Sequence, residues 1–529
     1  MGIFDRVKSR LFNSENIPLN VTRENFFSKK TLTVRDIPNL KQLFSEGFSW
    51  YREEIVDVLE QINDVAFTKY CLENYVKDFN VDELERIIKH FNNPEFSMYI
   101  MENCMTRFNR YQLENLLITL KDIQLIKYCV QNYQGPLDKF LLIKETEDYE
   151  YIKECIRNAE MLGLSEKDVK KLVLATKDME YIKQYFMPEG EKKEIDLPEG
   201  MTIGIEIELN NIGHEELRDL LFDGWKAKYE RSADCEVISP VLSSDKKSTE
   251  DIYLICNILK QLDGKISTSC GGHIHIGKNY FSGTLSEHFF LLTYCNVEKI
   301  LYKICNTEAD PLRGVHYAQP ISGFMEEEIR KSNKRMITLD LLEHLQSIQN
   351  DKKGCRFCSL NTLTVTKDEN GNEGATIEFR MPNGTLDPKV WIENIELFGG
   401  MIRAGNELAK IYNKSQEERT PEDEEKLMAF SIICSREASE EEKLAALLKL
   451  AIRENARECY EKRYRANSVL LENSRHNDEI LKASAQGVFH TYRMGKNIYT
   501  GIKRVTTFEV LAAEQRLARD RSREMQRVV

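Results

Sequence analysis

The segment Thr202-Ile203-Gly204-Ile205-Glu206-Ile207-Glu208-Leu209 sets two carboxylates at i, i+2 inside an apolar run. On a strand, Glu206 and Glu208 point to one face, and Ile205, Ile207 and Leu209 to the other. Adjacent carboxylates repel unless cations lie between them, so the pair suits a hard divalent metal; a solvated strand face carries the same pattern. Asp234-Cys235-Glu236-Val237-Ile238-Ser239-Pro240 brings another carboxylate into an apolar strand that Pro240 ends. In Ser269-Cys270-Gly271-Gly272-His273-Ile274-His275-Ile276-Gly277, His273 and His275 share a strand face, and the glycines allow a ligand to approach the backbone closely. Paired strand histidines of this kind also occur as structural or surface residues. Finally, Glu378 and Arg380 share a face in Thr376-Ile377-Glu378-Phe379-Arg380-Met381-Pro382-Asn383-Gly384. A carboxylate for metal beside a guanidinium for phosphate fits a metal–nucleotide site, and a plain cross-strand ion pair reads the same way.

Taken together, the glutamates of these segments and a histidine form an oxygen-rich set with one imidazole, better suited to magnesium or manganese than to structural zinc. The chain has no Gly-x-x-x-x-Gly-Lys-Ser/Thr loop, so an ATP site would not be of the P-loop kind. The order and wording of the segments resemble the amidoligase family, a branch of the glutamine synthetase and glutamate–cysteine ligase superfamily. "GIEIE" resembles that family's first strand, "DCEVISP" its Glu-x-x-Ser-Pro strand, and "SCGGHIHIG" its most distinctive motif. "TIEFRMPNGTLDPKVW" resembles the last motif, and "RGVHYAQP" and "RFCSLN" between them are similar to family segments. The resemblance spans about Leu197 to Ile411.

It implies an ATP-dependent, amide- or isopeptide-forming carboxylate–amine ligase that works through an acyl phosphate, on substrates that extend to peptides or proteins. Glu206 and Glu208 would serve two different magnesium (or manganese) ions; Glu236 would join one of them, with Asp234 able to share that duty, and His273 and Glu378 would complete the other. His275 would lie near the ATP phosphates. Arg380 would contact the transferred phosphoryl group, with Arg356 and Arg313 as further candidates. Nothing in the chain resembles glutamine synthetase's smaller N-terminal domain or its ammonia-site loops. Two other readings are a nucleotide-binding interaction scaffold without turnover and a metal hydrolase built on His273 and His275. The second would need more ligands than His214, His288, His316 and His344 offer from their helical or loop contexts. Cys355-x-x-Cys358 lacks the second pair that a zinc site requires.

These residues need a scaffold of strands and helices. Short β-rich runs at 201–209, 235–240, 267–277, 359–366 and 375–381 are interspersed with helical stretches at about 248–262, 284–305, 323–348 and 388–412. The uneven alternation predicts an α+β domain over 201–412 with an antiparallel sheet. The resemblance makes that sheet curved, with helices on its outer face, as in the glutamine-synthetase catalytic domain. Ahead of it, after an N-terminal extension (1–49), residues 50–186 repeat one phrase about every 26 to 30 residues. An Asn or Asp suited to cap a helix stands at Asn63-Asp64, Asn93, Asp122, Asp148 and Asp178, and apolar residues follow at i+3 and i+4 spacing. This predicts stacked helical hairpins, or an irregular bundle with similar caps. Such an array commonly presents a surface to a protein partner. Two Pro, two Gly and several charged residues at 187–200 mark a linker, and 413–529 reads as a helical C-terminal region.

Composition sets the remaining bounds. With 74 basic and 86 acidic residues the net charge is −12, which argues against general affinity for nucleic acid or an anionic membrane. The basic residues Arg516, Arg519, Arg521, Arg523 and Arg527 alternate with Glu514, Asp520 and Glu524, as on a solvated helix face. No stretch is apolar enough for a membrane span or a signal peptide. Thirteen cysteines, an odd count without regular spacing, do not read as a disulfide framework. The expectation is a cytoplasmic protein with reduced thiols.

Overall fold

The structure is a computed structural model and describes residues 32–47, 52–190, 192–267, 269–306, 318, 320–322, 358–362, 365–367, 373–435 and 437–473. The chain forms two compact units, divided between Thr176 and Lys177.

Among the described residues, the first unit is helical throughout. Its helices are α1 (Ile37–Gly47), α2 (Arg52–Ile62), α3 (Val65–Tyr75), α4 (Val81–Phe91), α5 (Pro94–Cys104), α6 (Arg110–Leu120), α7 (Ile123–Asn132), α8 (Lys139–Glu145), α9 (Tyr149–Arg157), α10 (Ala159–Leu162) and α11 (Glu166–Ala175). The repeated phrase is a tight corner between two helices. Asn63, Asn92, Lys121 and Glu147 adopt left-handed backbone (φ 48, 42, 51 and 52°), which ends the leading helix. The next residue caps the following one: Asp64 accepts from Phe67 N at 2.7 Å, Asn93 from Glu95 N at 2.9 Å, Asp122 from Gln124 N at 2.9 Å and Asp148 from Tyr151 N at 3.0 Å. Successive hairpins stack, α2 on α4, α3 on α5 and α5 on α7. The periodic apolar positions Phe67, Cys71, Ile100, Leu125, Cys129, Ile152 and Cys155 are all buried in one core.

A fifth corner, Lys177-Asp178, caps α12 (Met179–Phe186), and this helix packs in the second unit. Lys183 pairs with Glu250 at 3.0 Å, and Asn257 donates to the Phe186 carbonyl. The division of the chain therefore precedes the 187–200 stretch that composition marks as a linker. That stretch is itself tied down: Lys193 N donates to Tyr253 Oη at 2.9 Å, Asp196 N to Glu396 Oε1 at 3.1 Å, and Leu197 is buried.

The second unit is a mixed α+β assembly around an open antiparallel sheet. Its strands are β1 (Ile203–Leu209), β2 (Lys226–Lys228), β3 (Cys235–Ile238), β4 (Gly272–Gly277), β5 (Leu360–Asn361), β6 (Val365–Lys367) and β7 (Glu373–Phe379). The order is β2-β3-β1-β4-β7-β5, and β6 pairs with the first half of β7. Its helices are α13 (His214–Leu217), α14 (Lys246–Gln261), α15 (Thr284–Ile304), α16 (Pro388–Tyr412), α17 (Pro421–Cys434), α18 (Glu440–Ala451) and α19 (Arg457–Asn473). One sheet face is apolar and buried, with Ile203, Ile205, Ile207, Leu209, Val237, Ile274, Ile276, Ile377 and Phe379. Phe379 stacks on Phe398 of α16 with centroids 4.1 Å apart and meets Phe290 and Tyr294 of α15 edge-on or tilted. The other face carries the polar side chains, as period-two alternation requires.

The described part of the C-terminal region is not a separate layer. Tyr460 Oη donates to Glu393 O at 2.7 Å, Arg463 to Ile304 O at 2.8 Å, and Asn467 to Asn306 O at 2.9 Å. The helical layer also holds a buried charge. Asp251 on α14 is 3% exposed and its Oδ1 has no hydrogen-bond partner; burial pushes its carboxyl up to about 6. Among the described residues no disulfide forms, and no helix is long and apolar enough to cross a membrane. The predicted helix at 323–348, Cys355 and the basic run from Arg516 to Arg527 lie outside the described residues.

Candidate active site

Antiparallel register builds the site. On β1, Glu206 lies opposite His273 of β4, and Glu208 lies opposite Glu236 of β3. One step along, His275 lies opposite Glu378 of β7, which in turn lies opposite Asn361 of β5. Five strands thus bring side chains from positions 206 to 378 onto one face. Except for the half-buried Glu236 and Glu206, these groups are nearly sealed from water: Glu208 is 3% exposed, His273 2%, His275 7% and Glu378 2%.

His273 occupies the centre. Its Nδ1 lies 2.9 Å from Glu206 Oε2 and 3.5 Å from Glu378 Oε1, and its Nε2 lies 3.6 Å from Glu208 Oε1. Two ligand-competent groups result, Glu206–His273–Glu378 and Glu208–Glu236–His273, with ligand atoms within 4.8 Å of one another in each. A neutral imidazole has one lone pair, so His273 can serve only one ion at a time. Nδ1 is aimed at Glu206 and Glu378, which leaves Glu208 and Glu236 as the core of the other group. The remaining carboxylate oxygens are oriented by the protein: Gly271 N donates to Glu208 Oε2 at 2.6 Å, and Asn361 Nδ2 to Glu378 Oε2 at 2.7 Å. Ser232 Oγ adds a longer contact to Glu208 at 3.3 Å.

The electrostatics follow from crowding carboxylates and imidazoles on one face. Burial opposes the charge on Glu206, yet the His273 hydrogen bond and the charge of His275 and His273 hold its carboxyl well below the usual carboxylate range. Glu236 has no such partner; burial, then Glu206, Glu208 and Glu230, push its carboxyl up to about 8. Burial works against a charged His275 as well, but Glu206 and Glu378 outweigh it and raise its pKa. His275 Nδ1 lies 3.2 Å from Thr376 Oγ1; its Nε2 is 3.2 Å from Glu206 Oε1 without hydrogen-bonding geometry. The Arg380 guanidinium pairs with Glu378, and its Nε, buried, has no hydrogen-bond partner.

Of the residues singled out by sequence, Glu206, Glu208, Glu236, His273, His275, Glu378 and Arg380 converge here. Arg313 and Arg356 lie outside the described residues. The glycines have a different role from the one their spacing suggests. A Cβ on Gly272 would stand 2.5 Å from the Asn383 carbonyl oxygen and 2.9 Å from the Trp391 ring, and one on Gly277 would strike the Thr202 hydroxyl. They make room for the protein's own chain. Asn361 and Ser232 were not singled out by sequence; Asn361 sits inside the "RFCSLN" segment, but an amide there carries no pattern of its own.

Residues 219–401 match the family described as putative amidoligase enzyme. This segment belongs to that family. The amidoligase match begins after β1, so Glu206 and Glu208 precede the matched residues, and the sheet inserts their strand between the matched strands β3 and β4. Membership points to a ligase-type enzyme. No curated protein matches the chain.

Proposed function

We propose that this protein is an ATP-dependent carboxylate–amine ligase using magnesium or manganese. The observation that carries the reading is the convergence of Glu206, His273 and Glu378 beside Arg380, on a sheet that joins β1 to the strands of an amidoligase-family segment. The donor set fits divalent metal: buried carboxylate oxygens, oriented by Asn361 and Gly271, gathered with one imidazole nitrogen, His273 Nδ1, which faces Glu206 and Glu378. Glu206, His273 and Glu378 would hold one ion, and Glu208 and Glu236 the other. Bound there, the ions would neutralise the phosphates of ATP and align them for in-line transfer.

The chain's own residues account for the rest. A substrate carboxylate oxygen attacks the γ-phosphorus and ADP leaves; an amine nitrogen then attacks the acyl carbon and inorganic phosphate leaves. Arg380 faces the charge that develops on the transferred phosphoryl group, and its pairing with Glu378 keeps the guanidinium within the site beforehand. His275, biased toward its protonated form, donates to a phosphate oxygen. Burial of the cluster keeps water from the acyl phosphate. The open antiparallel sheet, polar on one face and packed by helices on the other, supports a glutamine-synthetase-like catalytic architecture. We assign the stacked hairpins of the first unit to a peptide or protein substrate or partner, as such arrays expose an extended surface.

Calorimetric titration of a non-hydrolysable ATP analogue, with and without magnesium, tests this on the wild type and on His273→Ala. The reading expects magnesium-dependent binding that His273→Ala loses. A folded wild type that binds no nucleotide would overturn it.

A further inference from the structure

Helix α15 carries a carboxylate in its apolar run, Glu298, with no solvent exposure at all. Burying a lone carboxylate is costly unless donors surround it. Here Ile321 N donates at 3.0 Å and Ser322 N at 2.9 Å, and the Ser359 hydroxyl donates as well. Ser359 is held in turn by Tyr294 Oη, which donates to its Oγ at 3.0 Å.

Ser359 is the link to the site. Its carbonyl accepts from Arg380 N at 2.9 Å. It also leads directly into β5, where Leu360 and Asn361 pair with Phe379 and Glu378. Asn361 Nδ2 then holds Glu378 Oε2 at 2.7 Å. A continuous path thus runs from Glu298 through Ser359 to the backbone of Arg380 and the side chain of Glu378. Strand β5 is only two residues long, too short to fix its own register by pairing alone.

We infer that Glu298 is a positioning residue for the reaction, setting the orientation of Glu378 through Ser359 and Asn361. The inference rests on the metal-centre reading of Glu206, His273 and Glu378. A purely structural Glu298 would stabilise the fold and leave metal affinity alone. Orientation of a ligand by its hydrogen-bond partners is worth about 10- to 100-fold in metal affinity.

The test is manganese binding to the full chain, followed by paramagnetic resonance, with thermal unfolding to confirm folding. Glu298→Gln and Asn361→Ala should each weaken manganese binding about 10- to 100-fold. Combining them should add little to the larger single effect, because both act on Glu378 through one path. Ser359→Ala, which keeps both backbone donors on Glu298, guards against misfolding of the first variant and should weaken binding at least about threefold, a smaller share of the same effect. Wild-type affinity in folded Glu298→Gln and Ser359→Ala, or fully multiplicative effects in the double variant, would overturn the inference while the metal centre stands. A wild type that binds no manganese would overturn both.

Discussion

The two units are held together by different physics. The helical unit repeats one solution: a left-handed residue, a capping Asp or Asn, then buried apolar positions one helical turn apart. Its stability is spread over many equivalent small terms. The sheet unit instead places mutually repelling carboxylates on one buried face and leaves Glu236 with a carboxyl pushed up to about 8. Local arrangements that cost stability cluster where chemistry is done, and regular ones accumulate where a surface is being built. A substitution should therefore damage either stability or the site, according to its unit.

The largest effect is expected at the ligand carboxylates. Glu206→Gln or Glu378→Gln should reduce magnesium-dependent phosphate release from ATP by roughly 10³-fold or more, because several kcal/mol of charge stabilisation are lost. Circular dichroism should remain that of the wild type; activity near wild type in either variant would contradict the assignment. Arg380→Ala comes next, with turnover down about 10²–10³-fold. Manganese affinity should hold or rise, since the guanidinium no longer competes for Glu378. A parallel loss of metal binding would make Arg380 a structural partner of the cluster.

The remaining two concern stability. Asp251 has its carboxyl raised to about 6, so the folded state holds a proton that the unfolded state releases, and stability falls as pH rises from about 4 through about 6. Asp251→Asn removes that cost. It should raise Tm at pH 8 by the equivalent of about 1–2 kcal/mol and change little near pH 4, as thermal scans across pH would record. A gain independent of pH would show that charge is not the cause. The smallest effect belongs to the repeat: Asp122→Ala should cost about 1 kcal/mol by denaturant unfolding and leave metal binding untouched.

The same contrast governs what the sequence makes legible. Repetition exposes the hairpins, because Asp64, Asn93, Asp122 and Asp148 each announce a helix in the same words. Period-two alternation likewise marks β1, β4 and the end of β7, and the shared face of Glu206, Glu208, His273 and His275 follows from it. The edge strand β2 escapes notice, since Lys226-Ala227-Lys228 has no apolar alternation. The 187–200 stretch reads as a linker from its Pro and Gly, yet its backbone donors are satisfied by Tyr253, Thr249 and Glu396, partners distant in sequence. Glu298 and Asn361 fail for the same reason, as their roles exist only once Ser359 and Glu378 are brought beside them. Local chemistry is written locally; support for it is not.

The central claim is a divalent-metal centre built on His273. Titration of metal-free protein with manganese, read by paramagnetic resonance at neutral pH, tests it most directly. Saturable uptake by the wild type is expected, up to one ion for each of the two ligand groups, with loss of the ion held by Glu206 in Glu206→Gln. A folded wild type that takes up no manganese would contradict it.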